Sequence, residues 1–198
     1  TRNQKALPMR QMGSFLLGEG LGGSGTHWNG WTFRFLPYDF EIKTMTEQKY
    51  GANKIKPEFQ LQDWGITYDE LEPYFDQFEK VAGISGEKNP LAGKRSDDYP
   101  TPPMKKTPIL QMFEKAAKDK GYTPYMLPSA NLSETYENPD GETIFACQYC
   151  GFCERFGCEY GAKSAPEITV IPTAKKTDNY ELRVHSNVVE ILKEGDKV

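Results

Sequence analysis

Gly18-Glu-Gly-Leu-Gly-Gly-Ser-Gly-Thr-His-Trp-Asn-Gly-Trp-Thr-Phe-Arg34 is the stretch on which the reading of this chain turns. Its opening, Gly18 to Gly23, satisfies the pattern G-x-G-x-x-G. A dinucleotide fingerprint also needs a strand before the glycines, an amphipathic helix after them and an acidic residue about 20 positions on. Thr26 to Arg34 holds His27, Trp28, Asn29 and Trp31 without helical spacing, so the segment is not a primary Rossmann fingerprint. Its physical content remains. Closely spaced glycines let a backbone approach a ligand and aim N–H groups at anionic or carbonyl oxygens. The competing reading is a structural glycine-rich loop.

Around this stretch the chain has 198 residues, enough for one medium domain or two small ones. Hydrophobic residues make up 37% and charged residues 26%, which excludes long-range disorder. The net charge is −4 and no Lys/Arg cluster is present, so nucleic-acid binding is not expected. No apolar run approaches the ~18–20 residues of a membrane span. Thr1 to Arg10 is polar, without a signal-peptide apolar core, and no initiator Met is present. The last residues, Lys193 to Val198, stop where a strand is about to turn. The expectation is a chain cut at both ends. Aromatics at 13%, with 18 glycines and 14 prolines, point to a loop-rich chain.

Local signals predict two helices. Thr67 and Glu70 have capping-box spacing, and Ile66 and Leu71 a hydrophobic-staple spacing. Leu71, Tyr74, Phe75, Phe78 and Ala82 then define one apolar face, Pro73 kinks the early turns and Gly83 ends the helix. The second helix has Thr107 as N-cap, Pro108 at the first helical position and an Ile109, Leu110, Phe113, Ala116, Ala117 stripe. Lys118 and Lys120 suit its negative end, and Gly121 terminates it. Trp31 to Lys43 reads as strand or extended loop, and Gly51 to Trp64 has no clean period. Asn89 to Pro103 is a linker, Tyr122 to Leu127 a short strand and Ser129 to Glu142 a loop. Ser164 to Lys176 reads as a helix capped by Ser164, with Pro172 near its end, and Glu181 to Leu192 as a strand.

All four cysteines, Cys147, Cys150, Cys153 and Cys158, fall in one run, C-x2-C-x2-C-x4-C. Thiolates at this spacing can converge on one centre, as in the ferredoxin run. Zinc also accepts four thiolates, although its usual pattern is two separated C-x2-C pairs. Disulfides or free thiols are the remaining readings.

Gly18 to Arg34 resembles the second glycine-rich motif of the glucose–methanol–choline (GMC) flavin oxidoreductases. Arg34 to Phe40 (R-F-L-P-Y-D-F) resembles the subgroup of gluconate, sorbitol and FAD-dependent glucose dehydrogenase large subunits. Asp63 to Glu79, Cys158 to Ser164 and Leu182 to Leu192 are similar to further blocks of that family, in its order. The resemblance implies an α+β piece: part of an FAD-binding α/β domain plus part of the substrate domain, with no complete Rossmann unit. On this division residues 1–62 are the flavin-side segment and extended loop, and 63–142 a two-helix part of the substrate region. Residues 143–198 are the cysteine cluster followed by a helix and strand returning to the FAD domain.

The resemblance also implies roles. Gly22, Gly23, Ser24, Asn29 and Gly30 would contact the flavin, with backbone N–H groups favouring negative charge on the reduced ring. His27 lies in Thr26-His27-Trp28, similar to the Thr-His-Trp of pyranose oxidases, in which the His carries the flavin covalently. It is therefore expected as a flavin neighbour, linked or unlinked, against the plain reading of a histidine packed in a loop. Trp28 and Trp31 would wall the site or serve as core. Val188 would meet the adenine through its backbone, while His185 has no motif support and reads as structural. Some large subunits of the subgroup carry an iron–sulfur cluster at the place of Cys147, Cys150, Cys153 and Cys158. This chain departs from their pattern, in which two cysteines are adjacent and a proline often follows the last, since Glu159 follows Cys158.

The expected function is FAD-dependent oxidation of a CH–OH group in a sugar, sugar acid or polyol. The pyrophosphate fingerprint would precede Thr1 and the catalytic His–Asn or His–His pair would follow Val198, so no catalytic residue is expected here and the piece alone would be inactive. Electrons would leave through the cluster to a cytochrome c partner, beside a small chaperone-like subunit, in the bacterial periplasm; membrane contact would come only through partner subunits. Two other classes stay open: a non-catalytic cysteine ribbon holding zinc, and a disulfide-stapled extracellular domain.

Overall fold

The structure is a computed structural model that describes residues 17–195. The readings made for Thr1 to Arg10 and for the final three residues lie outside that range. Helices α1 (Pro37–Phe40) and α2 (Ile42–Tyr50) are followed by α3 (Tyr68–Ala82) and α4 (Pro108–Asp119). A two-stranded antiparallel hairpin, β1 (Tyr136–Glu137) and β2 (Thr143–Ile144), pairs Tyr136 with Ile144 and Glu137 with Thr143. Helix α5 (Val170–Lys175) closes the order, and short 3-10 turns occupy Gly23–His27 and Ala52–Lys54.

The two long helices form where local chemistry dictates. Thr67 Oγ1 accepts from the Glu70 N–H, and the Glu70 carboxylate accepts from the Thr67 N–H (2.8 Å), closing the capping box. Gly83, at φ 64°, ends α3 in the left-handed conformation that glycine adopts without penalty. Thr107 caps α4 through the Leu110 N–H. Beyond α4, Tyr122 N–H donates to the Ala117 carbonyl and Gly121 N–H to the Lys118 carbonyl, a Schellman ending.

The face that α3 turns inward differs from the apolar stripe. Tyr68, Glu72, Glu79 and Ala82 are buried, whereas Tyr74 is 66% exposed and Phe78 49%. Arg34 decides this. Its guanidinium donates Nε and Nη2 to the two oxygens of Glu79 (2.8 Å each) and Nη1 to Glu72 (2.9 Å) and to the Tyr68 hydroxyl (3.3 Å). Arg95 makes a second fork onto Glu79 and stacks on Tyr99, 3.9 Å from the ring centroid. Ser96 N–H and hydroxyl donate to Glu72. Two carboxylates are thus buried with nearly every lone pair engaged, the condition under which buried charge is tolerated.

Five further expectations are corrected. Trp31 to Lys43 is not a strand over its length: Pro37 starts α1, Asp39 accepts from the Leu36 N–H (2.7 Å), and Phe40 is fully buried beside Phe35, Trp64 and Tyr68. Helix α2 then takes its cap from a distance, as Asp63 accepts from the Lys43 and Thr44 N–H groups and the Thr44 hydroxyl. Tyr122 to Leu127 joins no ladder; pairing begins at Ser129, which bridges Ser85 and Trp31. Ser129 to Glu142 contains β1 and is not all loop. Glu181 to Leu192 pairs with no strand among the described residues, and Val189 is 88% exposed; alternation yields a strand only where an edge is there to receive it. The helix after Ser164 begins only at Val170, because the Ser164 hydroxyl donates instead to the Ala82 carbonyl, and Pro172 stands in its first half.

The centre is a set of short pairings rather than an extended sheet. Ser85 exchanges backbone hydrogen bonds with Ser129, Ala130 N–H donates to the Gly30 carbonyl, and Ser164 N–H donates to the Ala130 carbonyl. Ala82, Ile84 and Ala130 form the small buried cluster there, flanked by Trp28 and Tyr99.

Replacing Arg34 with Met should destabilise the chain by about 3–5 kcal/mol in urea unfolding, because Glu72 and Glu79 lose their buried partner; a loss below about 1 kcal/mol contradicts the account. Glu72 adds a pH test. Burial pushes its carboxyl up, but Ser96 and Arg34 outweigh this and hold it at about 2, against an ordinary value of 4.5. Its stabilising effect is therefore complete above 4.5 and lost as pH falls toward 2, so Glu72→Gln should fall less steeply in stability over that window.

Candidate functional site

The glycine-rich segment folds into a tight turn. Gly22 and Gly23 have φ of 87° and 56°, and the 3-10 turn Gly23–His27 follows. Ser24 Oγ accepts from the Gly18 N–H (3.0 Å), and Thr26 Oγ1 donates to the Leu21 carbonyl (3.2 Å). A Cβ at Gly20 or Gly23 would meet no atom of the described residues within 4 Å, so among them the backbone there is open to a ligand. At Gly22 the chain fills its own cradle, since a Cβ would lie 2.6 Å from Glu167 Oε2.

The sequence-predicted residues separate into three groups. Gly22, Gly23 and His27 are half-buried and Ser24 exposed on the turn. Asn29 and Gly30 belong to its exit: Gly30 is buried at φ 85°, its carbonyl accepts from Ala130 N–H (2.7 Å), and Asn29 is exposed with its carbonyl accepting from Asn131 Nδ2. Val188 stands apart, 77% exposed in the unpaired run near the end of the described residues. His185 is likewise exposed, at φ 54°, and no packing supports a structural role for it.

Four buried side-chain polar atoms among the described residues lack a hydrogen-bond partner: Trp28 Nε1, Thr32 Oγ1, Glu142 Oε1 and Glu167 Oε2. Glu142 is balanced by Lys176 Nζ at 2.6 Å. The other three lie on the Gly18–Arg34 segment or against it. Unpartnered buried polar atoms are costly, but these are closed off from solvent, and Trp28 packs on the Ala82, Ile84 and Ala130 cluster, so they do not face the open turn. The open backbone at Gly20 and Gly23 suits a flavin, and the Glu167 carboxylate makes Gly22 the poorer place for a phosphate.

The cysteine loop lies directly beside this turn, with the Cβ position of Gly157 only 3.6 Å from Thr26 Cγ2. Cys150, Cys153 and Cys158 line one cleft of about 290 Å³ with Phe152, Phe156 and Tyr160. Tyr149 and Arg155 turn the loop at φ 57° and 69°. All four cysteines are free thiols, with Cys150 exposed and the others half-buried, so the disulfide staple is not formed. Among the described residues no group of three or more His, Cys, Asp or Glu stands close enough to hold a metal ion. The donor chemistry suits iron–sulfur or zinc; the loop as it stands does not yet converge on a centre. Burial pushes the Cys153 thiol up, and Cys147, Cys150 and Cys158 add to the rise against the pull of Lys163.

What sequence reasoning missed is what joins the two loops. Lys163 is fully buried, and its ammonium donates to the Trp28 (2.6 Å), Phe156 (2.7 Å) and Cys153 (3.0 Å) carbonyls. The only signal was a lysine inside Gly161-Ala-Lys-Ser-Ala165, a run of small residues.

No family model matches the chain. It is similar to the gluconate 2-dehydrogenase flavoprotein of Pantoea cypripedii, 38% identical over 98% of this chain and 34% of that protein. It is also similar to the 2-methyl-1,2-propanediol dehydrogenase of Mycolicibacterium austroafricanum, 30% identical over 89% of this chain and 29% of that protein. The fructose dehydrogenase large subunit of Gluconobacter japonicus is 28% identical over 60% of this chain and 20% of its own length. The chain thus spans about a third or less of the length of these relatives. No helix among the described residues is long and apolar enough to cross a membrane.

Alkylation should distinguish the thiols. Cys150 is expected to react fastest because it is exposed, and Cys153 to require the higher pH because its thiolate is disfavoured. Peptide mass spectrometry after iodoacetamide treatment reads the order; Cys153 reacting first contradicts the geometry.

Proposed function

We propose that this chain is the flavin-contacting and cysteine-bearing part of an FAD-dependent dehydrogenase of the GMC type, acting on a CH–OH group of a sugar, sugar acid or polyol. The observation that carries the reading is the similarity to the gluconate 2-dehydrogenase flavoprotein over 98% of the chain. The names of the other two relatives, a diol dehydrogenase and a fructose dehydrogenase large subunit, support the substrate class and a partner subunit. When bound, FAD supplies the hydride acceptor.

The chain's own residues have more limited tasks. The open backbone at Gly20 and Gly23 receives the cofactor. Buried Arg34 fixes the exit of that segment onto α3, so the turn keeps its shape. Glu72 and Glu79 are committed to arginines, and neither is assigned as a proton acceptor. Cys147, Cys150, Cys153 and Cys158 form the proposed iron–sulfur site, with zinc as the alternative occupant; three of them share a cleft, which supports a common centre. The periplasm and a cytochrome c acceptor belong to the same proposal and rest on the resemblance alone.

The test uses the longer polypeptide containing this chain, purified anaerobically. The expected result is flavin absorbance that bleaches on adding gluconate or a polyol, with iron and acid-labile sulfide bound. Protein without flavin overturns the reading, and zinc in place of iron and sulfide overturns the cluster assignment.

A further inference from the structure

Lys163 is the most costly residue in the described structure to explain by packing alone. An ammonium loses several kcal/mol of hydration when buried, and proteins keep such a charge only where its donors are met. Here all three N–H donors go to main-chain carbonyls, and those carbonyls belong to two different loops. Trp28 lies on the glycine-rich segment, whereas Cys153 and Phe156 lie on the cysteine loop.

The base of the side chain is rigid. Lys163 bridges Asn131 in antiparallel register, and the flanking Leu132 N–H to Ala162 carbonyl and Ser164 N–H to Ala130 carbonyl bonds hold its backbone. The cysteine loop, by contrast, carries two non-glycine residues at positive φ and has Cys150 and Phe152 exposed. A fixed stem therefore reaches a loop whose middle has few other anchors. The thiols around Cys153 and Cys158 also feel this cation, which opposes the rise that burial imposes on Cys153.

We propose that Lys163 is a positioning residue: its ammonium clamps the cysteine loop, at Cys153 and Phe156, to the glycine-rich loop, at Trp28, and so sets the separation between the flavin-side and cysteine sites. The identity of the two sites rests on the function proposed above. The clamp itself is read from thiol chemistry that needs neither cofactor.

The test compares Lys163→Met, Lys163→Arg and the unaltered protein as the metal-free longer polypeptide, with iodoacetamide rates measured for each cysteine. With each rate taken from the high-pH plateau of its own pH profile, where the lost cation no longer changes the thiolate fraction, Lys163→Met should speed alkylation of Cys153 and Cys158 by about tenfold or more, the signature of local opening. Cys147, whose N–H is held by the Leu132 carbonyl (2.8 Å), should stay within about twofold. Lys163→Arg keeps the charge and the donors and should return the rates to within about threefold of the unaltered protein, a rescue that mere filling of space does not give. Plateau rates at Cys153 and Cys158 that Lys163→Met leaves within about twofold overturn the clamp. If Lys163→Met unfolds the chain, so that Cys147 reacts as fast as Cys153, acetic anhydride labelling of the unaltered protein decides. Lys163 labelled far more slowly than exposed Lys105 supports the clamp, and equal labelling overturns it. Unaltered protein that binds neither zinc nor, with sulfide, ferrous iron removes the metal reading of the cysteines. The alkylation ratios still stand or fall on their own.

Discussion

Arg34 on Glu79 is the contact on which the rest of this structure depends. A guanidinium and a carboxylate matched at two points, each nearly excluded from water, cannot slide or rotate without leaving a charge unpaired. Arg34 ends the glycine-rich segment, and Glu79 sits in the last turns of the longest helix. Their pairing fixes which face of α3 is inward and where the glycine-rich segment leaves the core. Arg95 and Ser96 complete the network from the linker after α3, so three distant parts of the chain share one electrostatic knot.

From that knot the candidate site follows as geometry. Behind the turn at Gly22 and Gly23, Gly30 passes its carbonyl to Ala130 and Arg34 reaches α3. In front of it Lys163 draws the cysteine loop to Trp28. Both anchoring cations are buried, Arg34 through four hydrogen bonds of its guanidinium and Lys163 through three of its ammonium. On α3 the exposed Tyr74 and Phe78, set against buried Glu72 and Glu79, show that its inward face is set by charge pairing rather than by apolar area.

Sequence made the helix ends legible because their chemistry is local. Thr67 with Glu70, Thr107 with Pro108, Gly83 and Gly121 each act within one turn, and the structure uses all of them. Pro37 with Asp39 carried the same kind of signal for α1 but was outweighed by the loose alternation around it. The inward face of α3 was not legible, since it depends on Arg34 and Arg95, 45 and 16 residues from Glu79. Lys163 was hidden for the same reason, with a partner 135 residues away. The alternating run of Glu181 to Leu192 failed differently: its pattern describes a strand, but among the described residues no edge pairs with it. The cysteine spacing put three thiols on one cleft without fixing their occupant, because convergence depends on loop conformation and spacing does not determine it.

The proposed function makes the turn around Gly20 to Gly30 the flavin side of a dehydrogenase. Hydrogen–deuterium exchange on the longer polypeptide, with FAD bound and after its removal, addresses this directly. FAD should strongly protect residues 18–32, which contain the open backbone at Gly20 and Gly23. Exchange over 18–32 that does not change with FAD, while other parts of the protein become protected, would contradict it.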